Sequence, residues 1–125
     1  MEKKKILIIE DDVFIRDIYE VRFVQAGFEV VSAENGVVAL EKLQQGAIPD
    51  IILLDIIMPY MNGIETLKKI KADDNWKNVP VIMLTNISEK EKVNEGMELG
   101  IADFLIKSHF TPSEVVQKVN TLLNI

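Results

Sequence analysis

Five short runs of apolar, largely β-branched residues punctuate the chain, at Ile6–Ile9, Phe28–Ala33, Ile51–Leu54, Val79–Leu84 and Ala102–Ile106. Their starts lie 22, 23, 28 and 23 residues apart, close to one strand plus one helix each. Within a run the apolar residues are nearly continuous instead of alternating. That is the pattern of strands covered on both faces, and it predicts a parallel sheet between two helix layers.

The stretches between the runs read as helices. Residues 12–26 set Ile15, Ile18, Tyr19 and Phe23 on one stripe and stop at Gly27. A second helix over 37–45 follows the Asn35-Gly36 turn and ends at Gly46. A third over 64–72 follows Gly63, with Ile64, Leu67 and Ile70 on one side. Ser88-Glu89-Lys90-Glu91 reads as a capping box whose helix ends at Gly100. Thr111-Pro112-Ser113-Glu114 is a second box with Pro at the first helical position, opening a helix through Val115, Val116, Val119, Leu122 and Leu123. Strand and helix alternating five times predict an α/β fold, a doubly wound five-stranded parallel sheet in a three-layer α/β/α sandwich. An eight-unit barrel needs more chain than this.

Composition narrows the chemistry. At 125 residues the expectation is one domain over 1–125. A net charge of -6 argues against direct nucleic-acid binding, because phosphates are repelled at long range. Cysteine is absent, which removes disulfides and thiolate chemistry, and the lone His109 rules out a two-His zinc site. The basic start meets only Ile6–Ile9 before Glu10-Asp11-Asp12, too short a run for a signal peptide. No stretch of about eighteen apolar residues predicts a membrane span, so a cytoplasmic location is expected.

In such sheets ligands sit beyond the carboxyl ends of the strands. Strand one ends in Glu10-Asp11-Asp12, strand three in Asp55, strand four in Thr85 and strand five in Lys107, so acids, a hydroxyl and an ammonium are aimed at one rim. Two carboxylates about 5 Å apart repel by roughly 3 kcal/mol at an effective dielectric near 20. Such a cluster either raises its own pKa values or holds a cation. All-oxygen donors with few protein ligands point to Mg²⁺ instead of Ca²⁺. Neither GxGxxG nor GxxxxGK[ST] occurs, which disfavours a nucleotide loop. Asp12 reads as a helix N-cap, and Met58-Pro59 and Asn62-Gly63 as turn residues after Asp55. Val13, Phe14, Val21 and Val24 exceed what the core stripe needs; they are either a second row against the last helix or a docking surface beside the acids.

Glu10-Asp11-Asp12, the segment Ile51–Pro59 with Asn62-Gly63, then Thr85 and Lys107 together resemble the receiver domain of bacterial two-component response regulators, in order and over the whole chain. The resemblance implies strand order 2-1-3-4-5 in a flavodoxin-like fold, with Asp55 as the phosphoacceptor. It implies Mg²⁺ held by Asp11, Asp55 and the backbone carbonyl of Ile57. Glu10 is implied to act beside them through a water, and Arg16, five residues after Asp11 as in the family register, is what assigns the main metal role to Asp11. Lys107 and Thr85 are implied to neutralise and bond the transferring phosphoryl group, and Thr85 with Phe104 to form the switch. The implied partners are a sensor histidine kinase or a histidine phosphotransfer protein, and a downstream protein effector, with a phosphorylation-dependent homodimer as a further option. Output is expected to pass through a separate protein, or the chain is a fragment of a longer one; on the docking reading, Val13 and Phe14 meet a helical phosphodonor domain.

Three positions depart from the family pattern: Ser108 follows Lys107 where Pro is usual, Asn86 follows Thr85 where Ala or Gly is usual, and Phe104 carries no hydroxyl. Ser108 and Asn86 leave a receiver-like binding module without phosphorylation as a second reading. A phosphatase with an aspartyl nucleophile is a distant third, since it needs an acid where Ile57 stands. Ile57 and Ile87, two residues beyond Asp55 and Thr85, are expected to hinder hydrolytic water and lengthen the phosphorylated state.

Overall fold

The computed structural model describes residues 3–46, 48–86 and 89–125. Five parallel strands, β1 (Lys5–Ile9), β2 (Glu29–Ala33), β3 (Ile51–Asp55), β4 (Val81–Thr85) and β5 (Asp103–Ile106), form one sheet in the order β2-β1-β3-β4-β5. Helices α1 (Val13–Gln25), α2 (Gly36–Gln44), α3 (Gly63–Ala72), α4 (Lys90–Glu98) and α5 (Pro112–Leu123) alternate with them. The sheet splits the apolar core in two. Tyr19 and Phe23 of α1 and Val115, Val116 and Val119 of α5 pack over Ile6, Ile8, Leu53 and Leu84. Ala39 and Leu43 of α2, Leu67 and Ile70 of α3 and Val93 of α4 cover Leu7, Ile9, Leu54 and Met83. The α/β/α sandwich is the one expected from the strand pattern, and its strand order is the flavodoxin-like one that the resemblance implied.

Local chemistry explains where the elements stop. The Asp12 carboxylate accepts from the Phe14 and Ile15 N–H groups and starts α1. Asn35 and Asn62 cap α2 and α3 in the same way. Both arms of the Thr111/Glu114 capping box are formed. Gly27, Gly46 and Gly100 follow α1, α2 and α4 with φ near +90°, as a left-handed exit requires.

Four expectations are corrected or bounded. Ile18 is 49% exposed, not core: Tyr19 and Phe23 set the inward direction of α1, and one residue is a 100° turn away from it. The same geometry removes the second-row reading, since Val13, Phe14, Val21 and Val24 are all exposed. β5 lies at the sheet edge with Asp103 and Phe104 exposed, so it is not covered on both faces. At α4 the N-cap is Glu89, without a side-chain cap bond; Ser88 of the expected box and Ile87 lie outside the described residues. Among the described residues no helix is long and apolar enough to cross a membrane.

Candidate functional site

The parallel register brings the strand ends together. β1 lies between β2 and β3, so Glu10, one residue past β1, and Asp55, the last of β3, meet at the same rim. One carboxylate oxygen from each of Glu10, Asp11 and Asp55 lies within 4.8 Å of the others. Glu10 and Asp55 are buried and Asp11 is exposed, which leaves one open side to the cluster.

Lys107, just beyond β5, spans the two buried acids. Its Nζ donates to Glu10 Oε1 at 2.8 Å and to Asp55 Oδ2 at 3.0 Å. The residue that follows it is Ser108, no described peptide bond is cis, and Lys107–His109 form a 3₁₀ turn. The ammonium reaches both acids all the same. Burial holds Glu10 above the ordinary carboxylate value, with the hydrogen bond and charge of Asp55 adding to the rise and Lys107 opposing it. Burial also raises Asp11, helped by Glu10. Burial alone would lower Lys107; its hydrogen bond to Glu10 and the Asp55 charge outweigh that, and the ammonium titrates higher than usual. The expected repulsion is therefore present but answered internally, by a cation already seated between the acids.

The loop after Asp55 is held just as closely. The Gly63 N–H donates to the Ile56 carbonyl at 2.7 Å, and a Cβ on Gly63 would come within 2.4 Å of the Asp55 carbonyl oxygen. Only glycine lets α3 begin so near the strand end. The Ile57 N–H points to Asp55 Oδ1 at 3.4 Å. Met58 is buried in the same core cluster as Trp76, whereas Ile57 is exposed.

Thr85 and Phe104 occupy a different setting. The Thr85 hydroxyl is buried at the end of β4 and donates to the Asn86 carbonyl at 3.0 Å. Beside it a cavity of about 310 Å³ opens between α4 and β5, lined by Thr85, Val93, Met97, Phe104 and Ile106 among others. Phe104 is 36% exposed at its edge.

Two contacts were not legible as site features. The Asp12 N–H donates to Glu10 Oε2 at 3.3 Å, and Arg16 Nη1 donates to the Glu10 carbonyl at 2.9 Å. Arg16 sits one helical turn after the cap residue Asp12, and that spacing was the available signal.

The residues present suit a hard divalent ion. Three convergent carboxylate oxygens, no nitrogen or sulfur donor, and an exposed side that admits water are the donor set of Mg²⁺. The Lys107 ammonium already sits in the field such an ion would occupy.

Comparison with known proteins identifies the family and the fold. The profile of the response regulator receiver domain matches residues 6–120. Chemotaxis protein CheY1 of Helicobacter pylori is 34% identical over 120 residues, covering 95% of this chain and 96% of that protein. The phosphate regulon transcriptional regulatory protein PhoB of Pseudomonas aeruginosa is 36% identical over 123 residues, 98% of this chain, which spans only 53% of that protein. Chemotaxis protein CheY4 of Vibrio cholerae superposes with a TM-score of 0.88 at 32% identity, over 96% of this chain and 98% of that structure.

Proposed function

The chain belongs to the response regulator receiver family, and from that premise we propose that Asp55 accepts a phosphoryl group from a phosphohistidine on a sensor kinase or phosphotransfer protein. An Asp55 carboxylate oxygen attacks phosphorus, an O–P bond forms, the P–N bond breaks, and the electron pair leaves with the donor's imidazole. Bound Mg²⁺ would supply charge to the phosphoryl oxygens, and Asp11, Asp55 and the Ile57 carbonyl are the groups to hold it, with Glu10 beside them. Lys107 is positioned to exchange its Asp55 contact for a phosphoryl oxygen, neutralising charge where it develops. The carrying observation is the convergence of Glu10, Asp11 and Asp55 with Lys107 bonded to two of them.

Signalling then follows from Thr85. A phosphoryl oxygen on Asp55 gives its hydroxyl a better acceptor than the Asn86 carbonyl. Turning toward it changes the wall of the α4–β5 cavity, into which Phe104 swings. A downstream protein reads the population of that inward conformer. Val13 and the 78% exposed Phe14, next to the acid rim, form the docking point for a helical phosphodonor domain. Ile57, exposed two residues beyond Asp55, shields the acyl phosphate from water and lengthens the signal.

The test uses acetyl phosphate as donor with intact-mass detection. The reading predicts one phosphoryl group per chain with Mg²⁺, none with chelator, and none in Asp55→Asn. Absence of phosphorylation under all conditions favours the receiver-like binding module that Ser108 and Asn86 made conceivable. An acyl phosphate lost within seconds would count against the shielding role of Ile57.

A further inference from the structure

The geometry points to Arg16 as a positioning residue for the metal-binding turn between β1 and α1. We infer that its guanidinium, through the Glu10 carbonyl, holds the Glu10 and Asp11 carboxylates in the register that a divalent cation needs. This rests on the Mg²⁺ reading above and concerns the same site.

Glu10 has no exposed surface, and each of its polar atoms is tied down. Its N–H donates to the Ala33 carbonyl at 3.0 Å, which anchors the turn to β2. Its carboxylate meets Lys107 and the Asp12 N–H. The remaining atom, the backbone carbonyl, has left the strand ladder, and Arg16 Nη1 bonds it at 2.9 Å. Arg16 is itself fixed from below, because its own N–H donates to the Asp12 carbonyl at 2.9 Å as α1 begins. The side chain therefore closes a loop, Glu10–Asp11–Asp12–Arg16, across the residues that carry the acids. Arg16 is half-buried and lines a hollow with Ser32, Ala33, Val38 and Lys42. Without it the Glu10 carbonyl is a buried acceptor lacking its partner, and the turn relaxes toward water. Asp11, the one exposed acid of the three and the next residue along this turn, loses its aim first.

Positioning and charge make opposite forecasts, which gives the test its force. Arg16 is a cation near a cation site, so charge alone says that removing it strengthens Mg²⁺ binding. Positioning says that removing it weakens binding. Mg²⁺ affinity is measured by calorimetry for the wild type, Arg16→Gln and Arg16→Lys, alongside amide exchange by NMR. The expected result is a loss of about tenfold in Arg16→Gln, in line with losing an outer partner of a metal site. Arg16→Lys, which keeps one donor, recovers part of the loss. Amide exchange at Asp11 and Asp12 quickens in Arg16→Gln while that of β3 does not. Tighter or unchanged Mg²⁺ binding with unaltered exchange at Asp11 and Asp12 overturns the inference. A wild type that binds Mg²⁺ normally beside such a variant leaves the phosphoacceptor reading intact.

Discussion

The two sides of the site are built differently. On the β1–β3 side, Glu10, Asp55, Asn62 and Gly63 each have a fixed partner within hydrogen-bonding or contact distance. On the β4–β5 side, the Thr85 hydroxyl bonds only its neighbour's carbonyl among the described residues, the Glu89 side chain does not cap α4, Phe104 is part exposed and a cavity lies beside them. The first side has the rigidity that oriented phosphoryl chemistry demands, since a carboxylate and its cation must be aligned before reaction. The second has a part-exposed aromatic ring beside a cavity, which is room for an element to hold two conformations. On the proposed function, chemistry and readout are thus separated by about one strand, with Thr85 at their boundary.

Removing Asp55, the proposed nucleophile, breaks the contrast most severely. Asp55→Asn should abolish phosphoryl uptake and weaken Mg²⁺ binding at least about tenfold, since a unit charge some 4 Å away is worth a few kcal/mol at an effective dielectric near 20. Cation-free stability should rise slightly, because one of two buried carboxylates is neutralised while Lys107 keeps Glu10. Intact mass, calorimetry and thermal melting measure the three effects.

Lys107→Met should cut the other way. It leaves two buried acids without their ammonium, which costs about 1–3 kcal/mol once the partial exposure of Lys107 is allowed for. Mg²⁺ then has no resident cation to displace and binds more tightly, restoring the melting temperature. Gly63→Ala should cost a similar amount, about 1–3 kcal/mol, by forcing α3 away from the Asp55 carbonyl. Urea titration in both forms reads these costs. The second side responds more mildly: Phe104→Ala should leave Asp55 phosphorylation within about twofold and reduce phosphorylation-dependent binding of a downstream partner.

The smallest effect is on pH. Glu10 and Asp11 titrate above their ordinary values when cation-free. Their protonated forms therefore favour the fold. That contribution is complete below the unfolded values, 4.5 for Glu10, and is lost as pH rises through the raised folded ones. Mg²⁺ needs the ionised forms, so its apparent affinity should fall on acidification starting above pH 4.5. Calorimetry at a series of pH values checks this, and an affinity flat down to pH 4.5 would contradict it.

Much of this contrast was legible in the sequence because strand ends and caps are local signals. The acids, Thr85 and Lys107 each follow an apolar run, and the sheet order brings them to one rim. What was not legible depended on direction in space. Ile18 fits a helical stripe but faces outward once Tyr19 and Phe23 define the core side. Lys107 read as one member of a rim, yet its ammonium closes an ion triad across 97 and 52 residues. The bond from Arg16 to a main-chain carbonyl leaves no trace in residue type beyond its spacing.

The central claim is that three carboxylates converge to hold one divalent ion beside a reactive oxygen. Calorimetric titration of the wild type and Asp11→Asn with Mg²⁺ tests it most directly. The account predicts one site per chain in the wild type and its loss in Asp11→Asn, with little change in the cation-free melting temperature. Equal affinity in the two proteins, or no binding in either, would contradict it.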